Sequence, residues 1–291
     1  MKNNFFLFSM FCLLVNINLY AEDIEIYSDN IKILDNNNII KSVNSKAIIK
    51  EKKLLLQGNN SIYDVNILAD KNDLGDKITT HKGIRKISFT GSTATGARVM
   101  ASAASTLKRV TLELGGNDAG IVMDDVDVEA VAPQIFDGAF GNNGQICIAM
   151  KRVYAHESIY DKLVDQLAEL AEQAAVGNGL EQGTKLGPLQ NKMQFEKVKG
   201  FIEEGRADGT IVAGGDVPDG KGYFIPPTIV KDIDDDSRLV REEQFGPVLP
   251  VIKYDDIDDV IEKANDTDYG LGGSVWSSDI DRAYDVAKKV D

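Results

Sequence analysis

The sequence predicts an α/β fold preceded by a short β segment, and three observations support this prediction. After about residue 65, short apolar strands alternate with longer amphipathic stretches, which is typical of helices packed on a largely parallel sheet. Before that point, brief alternating apolar pieces are separated by turn formers. Asparagine also changes in frequency, with 11 in residues 1–64 and 8 in residues 65–291. Two segments of different character therefore meet near residue 64.

Residues 1–21 predict a secretory signal peptide. Lys2 precedes an apolar run from Phe5 to Val15, and Leu19-Tyr20-Ala21 comes directly before acidic residues. A short membrane anchor is the alternative, but the run is too short to span a bilayer comfortably. We expect a periplasmic or secreted location for this part, and no membrane span once the signal is removed.

Residues 22–64 predict a short β-strand segment. Its strand candidates are Ile24–Tyr27, Ile31–Ile33, Lys46–Ile49 and Leu54–Leu56. Over about forty residues the segment resembles the start of periplasmic lipopolysaccharide-transport (OstA-like) proteins, which are open β-jelly-rolls. A β-meander unrelated to that family fits almost as well.

Beyond the join, each predicted strand is followed by helical spacing or a turn. The strand candidates are Arg85–Thr90, Val110–Leu114, Gly120–Met123, Arg152–His156, Thr210–Ala213, Val248–Tyr254 and Gly272–Trp276. The clearest helix is expected to start after Ser158 as N-cap. Its buried stripe is expected to contain Ile159, Leu163, Leu167, Leu170 and Ala174. We interpret this helix as packing only.

Charge and composition exclude several classes of function. The formal net charge of −14 repels phosphate backbones and acidic membrane surfaces, and no local basic patch offsets it, so nucleic acid is excluded as a partner. Cys12 would leave with the signal peptide, so the mature chain has no disulfide framework. The two histidines, His81 and His156, belong to no cluster with metal-ligand spacing, and we expect no metal.

A glycine-hinged turn between a strand and a helix is the first motif that suits chemistry. Gly91, Ser92 and Gly96 follow a predicted strand, and a helix is expected from Ala97 to about Leu107. The unpaired N–H groups and partial positive charge of a helix start suit a pyrophosphate. The pattern does not match the G-x-G-x-x-G fingerprint, and alone it is more often an ordinary turn.

A glutamate and a cysteine are the candidates for acid–base and nucleophilic chemistry. Glu113 ends an apolar strand and is followed by Leu114 and two glycines, where partial desolvation suits a general base. Cys147 follows a glycine-rich approach that would let a substrate come close, and an ionised thiol attacks carbonyls. Taken singly, an exposed strand-end glutamate and an inert core cysteine are the more frequent interpretations.

The fourth motif places Glu243 two residues before Phe245, at a Gly-Pro turn into a strand. Such a carboxylate can accept the hydroxyls of a ribose while the ring borders a flat heterocycle. A turn with solvated glutamates is the alternative.

Together, the residues and the order of these four motifs resemble those of the aldehyde dehydrogenase superfamily. They correspond to its F-T-G-S-x-x-x-G turn, E-L-G-G strand end, G-Q-x-C loop and E-x-F-G-P-V turn. The 34 residues from Glu113 to Cys147 (147 − 113) leave room for a strand and a helix. Further similarity runs through residues 187–189, 222–228 and 269–271.

The resemblance implies an enzyme that oxidises a small-molecule aldehyde to a carboxylic acid with NAD, or with NADP as the alternative. It implies that Cys147 attacks the aldehyde to give a thiohemiacetal, and that its own N–H helps to hold the oxyanion. After hydride transfer, Glu113 would activate the water that hydrolyses the thioester. The cofactor-binding residues that the resemblance implies are Gly91, Ser92, Gly96, Leu114, Glu243 and Phe245.

The resemblance also divides the chain. It implies a partial NAD-binding domain of Rossmann type over residues 65–118 and an α/β catalytic domain over residues 119–291. Family members are longer, so we expect an incomplete, C-terminally truncated fold with impaired activity. The family is homo-oligomeric, but its second oxyanion donor and its oligomerisation segment are expected to be missing here.

The implied cytoplasmic location of the enzyme part conflicts with the N-terminal signal. This conflict and the asparagine shift lead to the hypothesis that the chain is a fusion, or chimera, of two sequences. Two alternatives stay open, a periplasmic lipopolysaccharide-transport β-protein and an inactive aldehyde dehydrogenase fragment.

Overall fold

The computed structural model describes residues 74–290 and, before them, the backbone of five strands. The chain divides into two compact units. One unit contains Met1–Ile87 and Arg98–Val110, and the other contains Ser88–Ala97 and Thr111–Asp291.

The five N-terminal strands form an antiparallel sheet in the first unit. They are β1 (Leu13–Val15), β2 (Ile24–Tyr27), β3 (Asn30–Leu34), β4 (Ile39–Ile49) and β5 (Leu54–Asp64). The strand β4 pairs with β5 along its whole length and with β2 and β3 near its two ends. The strands predicted within residues 22–64 are confirmed, although β4 and β5 are longer than expected because they pair continuously. The predicted signal peptide lies outside the described residues, apart from β1.

Two helices and two further strands follow. The helices are α1 (Leu74–Thr80) and α2 (Thr93–Ala104), and the strands are β6 (Lys86–Thr90) and β7 (Arg109–Glu113), which form a two-stranded sheet. Within the first unit, Lys108 Nζ donates to the carbonyl oxygens of His81 and Ile84, each at 2.8 Å. The helix α2 begins at Thr93, not at Ala97 as expected, because the glycine-hinged turn is shorter than its sequence suggests.

A six-stranded sheet is the centre of the second unit, in the order β10-β11-β12-β9-β8-β13. Its strands are β8 (Asp118–Val122), β9 (Met150–His156), β10 (Thr210–Ala213), β11 (Thr228–Lys231), β12 (Val248–Tyr254) and β13 (Gly273–Trp276). All neighbours are parallel except β10 and β11. The predicted α/β fold with a largely parallel sheet is therefore confirmed.

Helices cover both faces of this sheet. They are α3 (Val128–Phe140), α4 (Tyr160–Gln173), α5 (Lys192–Asp208), α6 (Arg238–Arg241), α7 (Ile257–Asn265) and α8 (Ile280–Ala287). One apolar core joins α3 and α4 to the sheet, and a second joins α5 and α7 to it. With both faces covered, the central strands β8 and β9 are buried almost throughout, as expected for parallel strands.

The predicted strands beyond residue 65 are all present, with bounds that differ by at most two residues. The strand β11 was not predicted. The N-cap prediction for α4 was wrong. Ile159 precedes this helix without a side-chain cap, while the Ser158 hydroxyl pairs with His156 Nδ1 at 2.8 Å.

The buried stripe of α4 is also partly different from the prediction. Leu163 and Leu167 are buried as expected. Tyr160, Val164 and Ala171 complete the buried face, whereas Ile159, Leu170 and Ala174 are only partly buried.

Candidate active site

The parallel strands of the second unit bring four chain segments to one edge of the sheet. The strands β8, β9, β12 and β13 are mutually parallel, so their amino ends lie on the same side. The segments that enter these four strands are residues 113–117, 141–149, 243–247 and 269–272. Three of the four sequence motifs are therefore neighbours by topology.

The segment that leads to Cys147 consists of unusual turns. After α3, Asn142, Asn143 and Gly144 all have left-handed backbone angles, with φ of 51°, 57° and 71°. A Cβ on Gly144 would lie 2.5 Å from the carbonyl oxygen of Gly246, so only glycine fits there. The backbone thus reverses against the Glu243 segment before it reaches Cys147.

Cys147 lies in a tight turn closed by the N–H of Ala149, which donates to the Ile146 carbonyl at 3.1 Å. The cysteine is free and partly exposed, and its neighbours Ile146 and Ile148 are exposed. The thiol is therefore not inert core, which was the commoner interpretation of a lone cysteine.

A buried lysine lies beneath this turn. Lys151 is 2% exposed, and its ammonium donates to the carbonyl oxygens of Ile146, Cys147 and Ala149 at 2.9, 3.0 and 3.0 Å. Each of its three N–H donors therefore has an acceptor.

The two glycines after Glu113 allow its segment to contact the other two. A Cβ on Gly116 would lie 2.7 Å from the Cys147 carbonyl oxygen, and a Cβ on Gly115 would collide with the Glu243 carboxylate. The Gly116 N–H donates to Glu243 Oε1 at 3.1 Å. These contacts join the segment after Glu113, the Cys147 turn and the Glu243 segment.

The side chain of Glu113 is exposed, so the expected partial desolvation of this carboxylate was wrong. Its strand has exposed residues at both ends. Within residues 75–290 the carboxylate forms no hydrogen bond or ion pair, and no hydrogen bond joins it to Cys147. Its backbone carbonyl accepts from the Gly91 N–H at 3.0 Å, which fixes the end of the strand beside the glycine-hinged turn.

The glycine-hinged turn starts α2 as its motif predicts. The Thr95 N–H donates to the Ser92 hydroxyl at 3.3 Å, so Ser92 caps the first turn of the helix. Gly96 is buried against Leu114, where a Cβ would lie 2.5 Å from the leucine Cδ2 atom. Gly96 therefore serves helix packing, while Gly91 and Ser92 remain exposed.

Two buried amides hold the segment that contains Glu243 and Phe245. Gln194 Nε2 donates to the carbonyls of Gln244 and Phe245 at 2.8 and 3.0 Å. Gln244 Nε2 donates to the Lys151 carbonyl at 3.2 Å. Phe245 has a left-handed φ of 51°, which is rare for an aromatic residue. The network keeps this strained residue in place.

Opposite charges are buried beneath the site. Burial raises the pKa of the Asp118 carboxyl, an effect that the Lys151 ammonium opposes and the Glu243 carboxylate reinforces. Burial lowers the pKa of Lys151, against the negative charges of Glu243 and Asp118. Desolvation is the largest effect on both groups.

Sequence reasoning missed four functional neighbours, namely Asp118, Lys151, Gln194 and Gln244. The signal that was available is a Lys151-Arg152 pair inside an otherwise apolar strand, because a charged pair there must find buried partners. Arg152 finds them in the carbonyls of Asn117, Lys263 and Ala264, at 2.9, 3.2 and 2.6 Å.

In the part of the chain that the structure describes, no group of three or more histidine, cysteine, aspartate or glutamate side chains could hold a metal ion. Nor does any helix in this part have the length and apolar character needed to cross a bilayer.

Fold and site together define an α/β protein in which a cysteine turn, a Glu-Leu-Gly-Gly segment and a Glu-x-Phe-Gly-Pro turn meet at one sheet edge. Residues 64–291 match the model of the aldehyde dehydrogenase family, and the chain belongs to that family. Its α/β aldehyde dehydrogenase-like fold agrees with this match.

Two curated relatives illustrate the similarity. The mitochondrial aldehyde dehydrogenase of Leishmania tarentolae is 46% identical over 211 residues, which are 72% of this chain and 42% of that protein. The betaine aldehyde dehydrogenase of Brucella anthropi is 41% identical over 230 residues, 77% of this chain and 47% of that protein. The chain therefore spans less than half the length of these relatives.

A solved structure gives the same result. The NAD⁺ complex of an aldehyde dehydrogenase from Bacillus cereus superposes with a TM-score of 0.72 at 42% identity. The superposition covers 75% of this chain and 44% of that chain.

Proposed function

We propose that this chain carries the nucleophile and general base of an NAD(P)-dependent aldehyde dehydrogenase, which oxidises an aldehyde to a carboxylic acid. The observation that supports this most directly is the contact of Gly116 with the Cys147 carbonyl. It places the segment that follows Glu113 against the nucleophile turn.

The chemistry begins at the sulfur. The Cys147 thiolate attacks the aldehyde carbon, a C–S bond forms, and the carbonyl electron pair moves to oxygen, where the Cys147 N–H stabilises it. Loss of the hydride from the former aldehyde carbon turns this adduct into a thioester. Glu113 then takes a proton from the water that attacks the thioester, and Cys147 leaves as the thiolate with the C–S bonding pair. The Gly91 N–H fixes the backbone of Glu113, so its exposed side chain must rotate to reach the thioester.

The residues present also fit a dinucleotide. The Glu243 carboxylate has one oxygen held by the Gly116 N–H, and no side chain on Gly115 covers it, so a ribose hydroxyl can reach the other oxygen. Gly91 and Ser92 stand at the start of α2, where N–H groups suit a pyrophosphate. Leu114 and Phe245 would border the cofactor, with Gly96 closing the helix packing behind it. When bound, NAD(P) accepts the hydride of the aldehyde carbon.

The test is a spectrophotometric assay of purified chain with a reactive aldehyde and NAD, and then NADP. We expect NADH formation that Cys147→Ala abolishes and Glu113→Gln slows. Glu172→Gln, which removes an exposed helix carboxylate, is the matched control and should be silent. Activity that survives Cys147→Ala would remove the proposed mechanism, and no activity in the parent would favour the inactive fragment.

We infer further that residues 1–64 and the remainder have different origins. The family match starts at residue 64, where the asparagine frequency changes. A signal peptide followed by a lipopolysaccharide-transport-like β segment is the proposal for the first part. Sequencing the source DNA across codons 60–70 tests the fusion, because one uninterrupted natural reading frame there contradicts misjoining. Lipid A binding by the chain would favour the transport alternative.

By the same family membership we propose a cytoplasmic location for the enzyme part and an aldehyde as its small-molecule partner. Fractionation of cells tests the location, and a protein found only in the periplasm would contradict it.

A further inference from the structure

The hydrogen bonds of the buried Lys151 all go to one turn, which packing alone does not require. A buried ammonium can be neutralised by a carboxylate, but here all three N–H donors go to carbonyls of one turn, those of Ile146, Cys147 and Ala149. The turn that carries the nucleophile is therefore gathered around one positive charge.

The peptide between Ile146 and Cys147 connects this charge to the reacting face. A trans peptide is planar, and its C=O and N–H point in opposite directions. Because the Ile146 carbonyl points to the Lys151 ammonium at 2.9 Å, the Cys147 N–H points away from it. Among the described residues, this N–H donates to no acceptor, and the flanking Ile148 is 63% exposed.

We propose that Lys151 is a positioning residue that aims and polarises the Cys147 N–H as the oxyanion donor. This inference rests on the proposed function of Cys147. A charge-assisted hydrogen bond to the carbonyl of a peptide increases the positive charge on its N–H. The other two bonds of the ammonium stop the turn from rotating, so the donor is fixed before the substrate arrives.

The proposal predicts different effects of Lys151 on two reactions of the Cys147 sulfur, because an oxyanion forms in only one of them. In acyl transfer from p-nitrophenyl acetate, the thiolate forms a C–S bond, the carbonyl oxygen gains a negative charge, and p-nitrophenolate leaves with the electron pair of its C–O bond. In alkylation by iodoacetamide, the thiolate displaces iodide and no oxyanion forms. Neither reaction needs the cofactor, so both can be measured even where the NADH assay fails.

The test compares Lys151→Met with the parent in both reactions, with Cys147→Ala as the blank. Removal of an oxyanion donor costs about 10²- to 10³-fold, and here the donor stays but loses its alignment. We therefore expect acyl transfer to fall on the order of tenfold, and alkylation to change by less than about twofold. Lys151→Gln keeps amide donors, so its rate of acyl transfer should lie between the rates of the parent and of Lys151→Met.

Lys108→Met is the matched control, since Lys108 also donates to two backbone carbonyls but to none in the Cys147 turn. It should leave both rates unchanged. Equal loss of acyl transfer and alkylation in the Lys151 variants would overturn the proposal, as would no loss of acyl transfer, or a parent without Cys147-dependent acyl transfer. If Lys151→Met fails to fold by circular dichroism, the ratio of the two rates in Lys151→Gln decides.

Discussion

A methyl group added at Gly116 would push directly on the nucleophile turn. The Cβ of Gly116→Ala would lie 2.5 Å from Asp118 Oδ1, 2.7 Å from the Cys147 carbonyl oxygen and 3.1 Å from Leu271 Cβ. Two of these neighbours are side chains, but the Cys147 carbonyl is backbone and is held by Lys151 at 3.0 Å. The clash must therefore be relieved by moving one of the two segments.

The size of the movement sets the expected effect. Ordinary contact begins at 3.4 Å, so the Cβ and the carbonyl oxygen must separate by about 0.7 Å (3.4 − 2.7). A misplacement of about 1 Å at reacting groups costs roughly 100-fold in rate, so we expect about 10- to 100-fold slower acyl transfer to Cys147. Overpacking should also cost about 1–3 kcal/mol of unfolding free energy.

Gly115→Ala is the matched control, one residue away. Its Cβ would meet only the end of the Glu243 side chain, which can rotate, so the Cys147 turn stays in place. We expect acyl transfer from p-nitrophenyl acetate near the parent rate, and a raised KM for NAD because Glu243 is displaced. The assay follows p-nitrophenolate release and urea unfolding of all three proteins. Equal slowing of acyl transfer in both variants, or none in Gly116→Ala, would refute the reasoning.

Two further predictions concern buried charges. Arg152→Met removes the side-chain donor to the carbonyls of Asn117, Lys263 and Ala264, so urea denaturation should show a loss of about 3 kcal/mol. Arg85→Met, at an exposed position, is the control and should cost under about 1 kcal/mol. A loss under about 1 kcal/mol in Arg152→Met would contradict this. Asp118 has a folded pKa raised above 3.8, so the folded state binds more protons and stability should fall as pH rises through 3.8 and then through the raised folded pKa. Asp118→Asn should remove that fall, and urea midpoints of parent and variant that keep a constant difference from pH 3 to pH 7 would show that the carboxyl does not titrate as argued.

The fold was largely predictable because its signals are local. The strand β12 is apolar except for Lys253, and β8 is apolar after Asp118, as expected for buried parallel strands. The stripe through Leu163 and Leu167 has helical spacing. The N-cap prediction failed because another hydrogen bond was available to the same side chain. The Ser158 hydroxyl pairs with His156 and not with the start of α4.

The sequence motifs indicate which segments to propose for the site, but the groups that hold these segments were not predicted. Cys147, Glu113 and Glu243 stand in motifs whose combination and order, rather than any one motif, resemble the family. Gln244 acts through a contact with a residue 93 positions away in the chain, the bond from its Nε2 to the Lys151 carbonyl at 3.2 Å. No pattern in a single sequence reports such a contact. The exposure of Glu113 was missed for a related reason, since burial depends on what covers the strand end.

The placement of the buried charges has a common physical cause. Asp118 is the first residue of β8 and Lys151 the second of β9, so both stand where a site segment enters the sheet. Burying either charge costs free energy, which an apolar residue at the same position would avoid. An apolar residue, however, could not bind three carbonyls of a turn whose N–H groups must face outward. Under this proposal, the desolvation of Lys151 is the free-energy cost of fixing the Cys147 turn. The ratio of the acyl-transfer and alkylation rates in the Lys151 variants measures how much the fixed Cys147 N–H contributes to acyl transfer.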